Sequence, residues 1–434
     1  MSVFNHAFAR RIMASTAFAL DTQKSDTGLK YLAWIRDAMA EGKSLTSIVR
    51  EVASLVWGPG RLQPSEYFLY QLHNDRRFTA EAKRTFLGTD RLSELLSALN
   101  MPWPQIANDK PTLTALLRGY DLPIPETQAM RHRDRVFPGA MSLRTKAEVE
   151  RFLRKEAVYP IFTKPTNMMC SLGVANIQRY DDSDDSIVTK LGRHVKVSEF
   201  ADQVEKFADN GYLFQTRLEP HPKVAEVVGD QISTVRMFVL VDDEGPTLLR
   251  AAWKIPSGVS VADNFWRSGN MLGGLDVETG AVLRVVRRTP TGCEEVFSHP
   301  KTDVRFAGLM FPQWDAMRAT VMQGAAAMPT CHFQGWDVAL TDRGPVLVEV
   351  EGDGGDPIME QLCFDTGLLQ GRYLAFTKQA MESRKERKKK AKARLRARLR
   401  SNLSQLAAQQ PTELPRPEVE SSAPESEQLE TASV

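Results

Sequence analysis

Apolar residues recur at three- and four-residue spacing along the first hundred positions, then give way to alternation. TGLKYLAWIRDAMAEG and SLTSIVREVASLVWG each carry a helical stripe closed by glycine, and TDRLSELLSALN opens on a Thr/Asp cap. NDKPTLTALLRGYDLPIPET reads as a helix ending at Gly119 and leading into an extended Pro-rich segment. From about 110 to 210 short elements alternate: a strand MSL, a helix TKAEVERFLRKE, strands YPIFTKP and GVANIQRY, and a helix SEFADQVEKFADN. Strands dominate 211–290, beginning with YLFQTRLEP and including a hairpin STVRMFVLVDDEGPTLLRAAWKIP that turns at Asp-Asp-Glu-Gly. A helix over TDVRFAGLMFPQWDAMRATVMQGAAAM precedes a last hairpin, FQGWDVAL–TDRG–PVLVEVEGD. Helices and mixed strands in this order predict an α+β fold rather than a doubly wound parallel sheet, with no internal repeat.

The last hairpin carries the densest chemical signal. Side chains of a strand alternate between faces, which puts Leu347, Glu349 and Glu351 together and Val346, Val348 and Val350 opposite them. A three-residue loop of Asp342, Arg343 and left-handed Gly344 would pair Thr341 with Pro345 and set Asp337 opposite Glu349. Opposed like charges destabilise a sheet, and a divalent cation such as Mg²⁺ turns that repulsion into ligation by hard oxygens. The plainer alternative is a solvated hairpin whose acids face water.

Composition changes little: 42% hydrophobic and 25% charged residues describe an ordinary globular chain, and 434 positions hold two or three core-forming units. A net charge of +2 gives no overall field for nucleic acid or membrane. Cys170, Cys293, Cys331 and Cys363 have no metal or disulfide spacing and suit reduced thiols in a cytoplasmic protein. No apolar run reaches a membrane span, and IMASTAFAL near the start reads as an ordinary helix rather than a secretion signal. The charge is unevenly spread, however. Basic residues dominate Lys378 to Arg400, with Leu395, Leu399, Leu403 and Leu406 at helical spacing; beyond Gln410 the chain is rich in Pro, Glu and Ser and builds no core. That run is either a solvated helix, screened by Glu413 to Glu430 of the same chain, or a contact for nucleic acid or another acidic surface.

Three basic positions stand beside the paired acids: Lys110 at a helix start, Lys164 at a strand end, and Arg236 on the face of Phe238 and Leu240. A buried cation without an anion is costly, so each needs a partner or water. Each alone is explained as a surface charge. Together with a two-acid metal hairpin they make the set that a nucleoside triphosphate requires. His221 and His332 read as polar surface or hinge residues, and no Ser-His-Asp or Cys-His arrangement suggests a covalent step.

In this order the segments resemble an ATP-grasp enzyme of the sugar-transfer-associated group, related to alpha-L-glutamate ligases. NDKPTLTALLRGYDLPIPET resembles the opening helix whose lysine, here Lys110, reaches the nucleotide phosphates. FTKPTNMMCSLGV is similar to the strand and phosphate-covering loop in which Lys164 stands. YLFQTRLEPHP resembles the hinge between lobes, which implies Gln215, Leu218 and Glu219 near adenine and ribose. STVRMFVL matches the segment whose arginine, here Arg236, faces the phosphates, and KIPSGVSVADNFWRSGNMLGGLDVETG adds Asn264 and Asn270. GWDVALTDRGPVLVEVEGD resembles the metal hairpin, which carries over Asp337 and Glu349, with Glu351 as a further ligand. The resemblance spans about 100–370 and extends more loosely to LQPSEYFLYQL.

It implies two α+β lobes with ATP between them. The expected plan is a helical region over 1–105, an N-lobe over 106–210, a C-lobe over 211–376, a basic helix over 377–409 and a disordered tail over 410–434. It further implies ATP and Mg²⁺ as cofactors and transfer of the γ-phosphoryl group to a carboxylate. The acyl phosphate is then attacked by an amine or related nucleophile in a polysaccharide or glycoconjugate setting. Two departures stand out. The phosphate loop, Thr166 to Leu172, lacks the usual glycines before Gly173, and Glu351 replaces the asparagine expected after the metal glutamate, which leaves Glu351 and Asp353 as an alternative pair. Other readings are a nucleotide-binding regulator or scaffold that no longer turns over, and a nucleic-acid-binding protein acting through residues 378–400.

Overall fold

The structure, a computed structural model, describes residues 31–100, 103–167, 173–258, 263–289, 292–352 and 357–408. The segment IMASTAFAL and the tail beyond Gln410 lie outside them. Contacts divide the chain into two units, Met1–Met381 and Glu382–Val434.

Within the first unit a run of helices comes first: α1 (Tyr31–Ala40), α2 (Leu45–Val56), α3 (Pro64–Leu69), α4 (Ala80–Lys83), α5 (Thr89–Leu99) and α6 (Trp103–Ala107). Ser44 caps α2, whose Ile48 and Leu55 are buried. The cap expected for α5 differs: Gly88 occupies the N-cap, while Thr89 is the first helical residue and bonds Glu66 instead.

α7 (Lys110–Gly119) leads into a seven-stranded sheet. Its strands are β1 (Thr127–Arg131), β2 (Met141–Leu143), β3 (Ile161–Pro165), β4 (Ala175–Asp181), β5 (Ser186–Thr189), β6 (His194–Lys196) and β7 (Tyr212–Thr216). They run β2-β1-β7-β3-β4-β5-β6, antiparallel except for β1 and β2. Two helices, α8 (Lys146–Arg151, continued by a π turn over Phe152–Glu156) and α9 (Val197–Glu205), close a core of Phe152, Leu153, Phe200, Val204, Tyr212 and Phe214. Because β7 lies between β1 and β3, the first lobe extends to Thr216 and not to 210 as expected. Local pattern marks β7 as a strand, but its sheet is set by distant partners.

The second sheet holds β8 (Thr234–Asp242), β9 (Gly245–Ile255), β10 (Met271–Leu275), β11 (Val282–Thr289), β12 (Gly292–Glu295), β13 (Phe333–Thr341) and β14 (Gly344–Glu351), in the order β12-β11-β10-β9-β8-β13-β14. On one face Val235, Met237, Trp253, Trp336 and Val338 pack against α10 (Pro222–Val228) and α11 (Trp314–Ala326). On the other face Ala252, Leu272 and Val286 meet α12 (Pro357–Phe364) and the N-terminal helices. α11 is shorter than its apolar spacing suggests. Pro312 and left-handed Gln313 (φ 52°) precede its start at Trp314, and Phe306 and Phe311 are buried from non-helical chain.

The last hairpin departs from expectation twice, and the departures cancel. Its turn has two residues, Asp342 and Arg343, so Thr341 pairs with Gly344 (φ 107°). A bulge at Val348 then restores the register, and Asp337 does oppose Glu349. The bulge also separates Leu347 from the two glutamates: it sits opposite Val338 in the apolar core with Trp336 and Val350. A final helix, α13, runs Gly371–Ala408.

Candidate functional site

Six of the sequence-selected residues converge where β3 and the start of α7 meet the end of the second sheet. Asp109 caps α7 by accepting from the Thr112 amide at 2.9 Å, and Arg135 grips its carboxylate through two bonds of 2.6 Å. The Lys110 amide donates to the Thr166 carbonyl at 3.5 Å, which draws the helix start to the end of β3, beside Lys164. On the second sheet Asp337 sits directly between Arg236 of β8 and Glu349 of β14.

The charges interlock. Arg236 donates from Nε to Asp337 Oδ1 at 2.7 Å, and its other edge forks onto Glu351 at 2.7 and 2.9 Å. Lys254 of β9 donates to Asp337 Oδ2 at 2.7 Å, and Lys110 Nζ lies 2.8 Å from Glu349 Oε1. Lys164 is buried and makes no ion pair among the described residues. Burial, reinforced by the Lys110 charge, lowers its ammonium to about 8 despite Glu349 and Asp337. Burial opposes ionisation of Glu349 and Asp337 too, but Lys110 and Lys164 hold the first below the usual carboxylate range, and Arg236 and Lys254 the second. Both cations on Asp337 are raised in turn: against burial, Asp337 and Glu351 raise Arg236, and Asp263 and Asp337 raise Lys254.

The acids differ in reach. Glu349 and Glu351 lie two residues apart on an edge strand, with side chains 33% and 35% exposed, and their hard oxygens suit a divalent cation. Asp337 is 9% exposed with both oxygens engaged, so it reaches a metal only by releasing Arg236 or Lys254. These three do not form a preorganised cage. Asp353, the alternative partner of Glu351, lies outside the described residues.

The expected hinge and loop residues stand apart from this cluster. Gln215 is buried in the first sheet and donates to Thr127 Oγ1 at 3.1 Å. Leu218 and Glu219 lie on the strap that leaves β7. There the Glu219 side chain pairs with Arg217 at 2.6 Å, its carbonyl accepts from Asp342, and Pro220 bridges Thr341. Asn264 accepts from the Trp266 amide through its side chain, and its carbonyl takes the Asn270 amide at 2.9 Å. Asn270 also accepts from the Ser257 amide, so both asparagines hold the loop together.

Two residues at the site carry no role in the sequence-based reading. Lys254 shares the face of Ala252, which opposes Arg236, but a bulge at Leu249 displaces the count from the hairpin turn and hides this alignment. Asn100 is fully buried; its Nδ2 donates to the carbonyls of Phe333 (2.6 Å) and Gly352 (2.7 Å), and its Oδ1 accepts from the Phe333 amide (3.0 Å). It ties together the open ends of β13 and β14, one residue beyond Glu351. α6 presses on the same point, since a Cβ at Gly352 would meet Ala107 at 2.8 Å.

A two-lobed α+β protein with a cationic, acid-edged site at the junction of its sheets has the architecture of an ATP-grasp fold. The chain belongs to the sugar-transfer associated ATP-grasp family, whose model matches residues 101–374. Among solved structures it is similar to N5-carboxyaminoimidazole synthase from Aspergillus clavatus (13% identity over 65% of this chain and 57% of that one, TM-score 0.33). It is also similar to VanG D-Ala:D-Ser ligase from Enterococcus faecalis (15%, 65% and 63%, 0.33). D-alanyl-alanine synthetase A from Vibrio cholerae is a third (12%, 64% and 65%, 0.36). The chain spans 57% and 63% of the first two of these structures. No curated protein matches it. Among the described residues no helix is long and apolar enough to cross a membrane.

Proposed function

We propose that this protein is an ATP- and Mg²⁺-dependent ligase that activates a carboxylate as an acyl phosphate and transfers the acyl group to an amine or related nucleophile. The observation that carries the reading is the buried Lys164 ammonium, which has no ion pair among the described residues and stands near Lys110, Glu349 and Asp337. A polyanion entering between the lobes removes the cost of that charge.

Lys110, Lys164 and Arg236 bind and orient the phosphate oxygens, and Lys254 holds Asp337 and Arg236 in place. Glu349 and Glu351, with Asp337 behind them, would hold Mg²⁺, which supplies charge neutralisation between phosphate oxygens when bound. Leu218 and Glu219, on the strap between lobes, take the adenosine side, with Gln215 and Asn264 shaping the walls around it. A substrate carboxylate oxygen forms a bond to the γ-phosphorus as the bond to ADP breaks. The amine nitrogen then bonds to the acyl carbon, phosphate leaves, and the nitrogen loses a proton. The chain's contribution is positioning and preorganised charge. The setting is cytoplasmic, with a sugar-linked or glycoconjugate substrate.

A nucleotide titration with and without Mg²⁺, followed by ADP release across pools of carboxylates and amines, tests this reading. Metal-dependent binding and substrate-dependent ADP release are expected. Binding without turnover across broad pools would point to a regulator, and no nucleotide binding would overturn the reading altogether.

A further inference from the structure

The unit that begins at Glu382 lies beyond the family match, and the nucleotide site makes no use of it. Its described part is the basic portion of α13, exposed from Lys385 to Gln405. Nine lysines and arginines and no acid fall between Arg387 and Arg400. Arg384, Lys388, Lys392, Arg396 and Arg400 stack at four-residue spacing, where like charges repel. The same helix exposes Leu395 (58%), Leu399 (53%) and Leu403 (65%), which share an arc of about 80°. Arg394 and Arg398 flank that arc on one side, Arg396 and Arg400 on the other.

Each candidate occupant must account for both features. A nucleic acid, or the glutamate-rich end of this same chain, neutralises the charges but leaves the leucines in water. A second copy of the helix buries the leucines but sets one arginine-rich flank against another. An anionic bilayer surface takes both: the leucines enter the acyl boundary while the flanking guanidiniums reach the headgroup phosphates. We infer that the helix beyond Glu382 docks the protein on anionic lipid, lying in the interface rather than spanning it. This inference does not depend on the nucleotide site and is tested apart from it.

The test is co-sedimentation of the full-length protein with phosphatidylcholine vesicles, either pure or containing about one third phosphatidylglycerol, near physiological salt. Pelleting with the anionic vesicles alone is expected. The triple variant Leu395→Ser/Leu399→Ser/Leu403→Ser should lower partitioning about tenfold, as should Arg394→Gln/Arg396→Gln/Arg398→Gln/Arg400→Gln. Circular dichroism with and without vesicles shows whether each variant stays helical, and a leucine variant that is still helical but bound poorly supports lipid docking. Four results would each overturn it: no pelleting, equal pelleting with both vesicles, unchanged partitioning of the leucine variant, or displacement from vesicles by a short nucleic-acid duplex. Leucine-dependent dimerisation without lipid binding would overturn it as well.

Discussion

Replacing Lys164 by methionine should stabilise the empty protein and weaken nucleotide binding, because one buried charge is responsible for both. Burial and the neighbouring Lys110 bring this ammonium from the ordinary value of 10.5 to about 8. That gap corresponds to roughly 3 kcal/mol, an upper figure for what the folded chain loses by keeping the proton below pH 8. Between about 8 and 10.5 the unfolded chain holds more protons than the folded one, so the penalty fades as pH rises through that window. The stabilisation by Lys164→Met should therefore be greatest at neutral pH and vanish near pH 10.5. Nucleotide phosphates bound there would reverse the shift and restore the proton. Saturation with MgATP should draw in about half a proton per site at pH 8, nearly one at pH 9 and about a tenth at pH 7. Titration calorimetry in buffers of different ionisation enthalpy reads this uptake directly. Binding of MgATP by native protein at pH 8 to 9 without uptake, or equal uptake by Lys164→Met, would refute a role for the Lys164 charge.

Other substitutions separate the roles of the acids. Glu349→Gln removes one partly exposed partner of Lys110 and should change unfolding free energy by no more than about 1 kcal/mol while raising the Mg²⁺ needed for nucleotide binding at least about tenfold. Asp337→Asn is a different perturbation, since it leaves Arg236 and Lys254 buried with less counter-charge; denaturant unfolding should show a loss of about 3–5 kcal/mol. Asn100→Ala orphans one amide and two carbonyls at the hairpin's open end. It should cost about 1–3 kcal/mol and weaken Mg²⁺ dependence, although Asn100 touches no charged side chain of the site. Truncation after Met381, at the boundary of the first unit, should leave MgATP affinity within about twofold of native.

What could be read from the chain follows from how local the determining signal is. Lys110, Lys164 and Arg236 were legible because helix starts and strand ends are written in their own neighbourhoods. The Asp337–Glu349 pairing was also reached, but through a three-residue turn that the chain does not make. A shorter turn and the bulge at Val348 give the same register, and only the misplaced Leu347 exposes the difference. Bulges insert one residue and invert every later face, so the bulge at Leu249 was enough to conceal Lys254. Asn100 lacks any pattern, because its partners are backbone groups more than two hundred positions away. The sheet joined by β7 was hidden for the same reason.

The resting site has consequences for how a nucleotide enters. Lys110, Lys164, Arg236 and Lys254 face Asp337, Glu349 and Glu351, so the cluster carries about one net positive charge, and MgATP brings about two negative ones. On the proposed reading, entry would therefore be an exchange of partners more than a filling of empty space. Arg236 is held at both edges and Asp337 by two cations, and breaking either strands a buried charge. Lys110 meets Glu349 at a partly exposed carboxylate, 2.8 Å away. On the proposed reading that contact is the cheapest to open: Lys110 would swing to a phosphate and free Glu349 for the metal. One exchange would then supply a phosphate ligand and a metal ligand together, and nucleotide and Mg²⁺ binding are expected to be mutually dependent. If Glu349→Gln left that dependence intact, the exchange would have to lie elsewhere in the cluster.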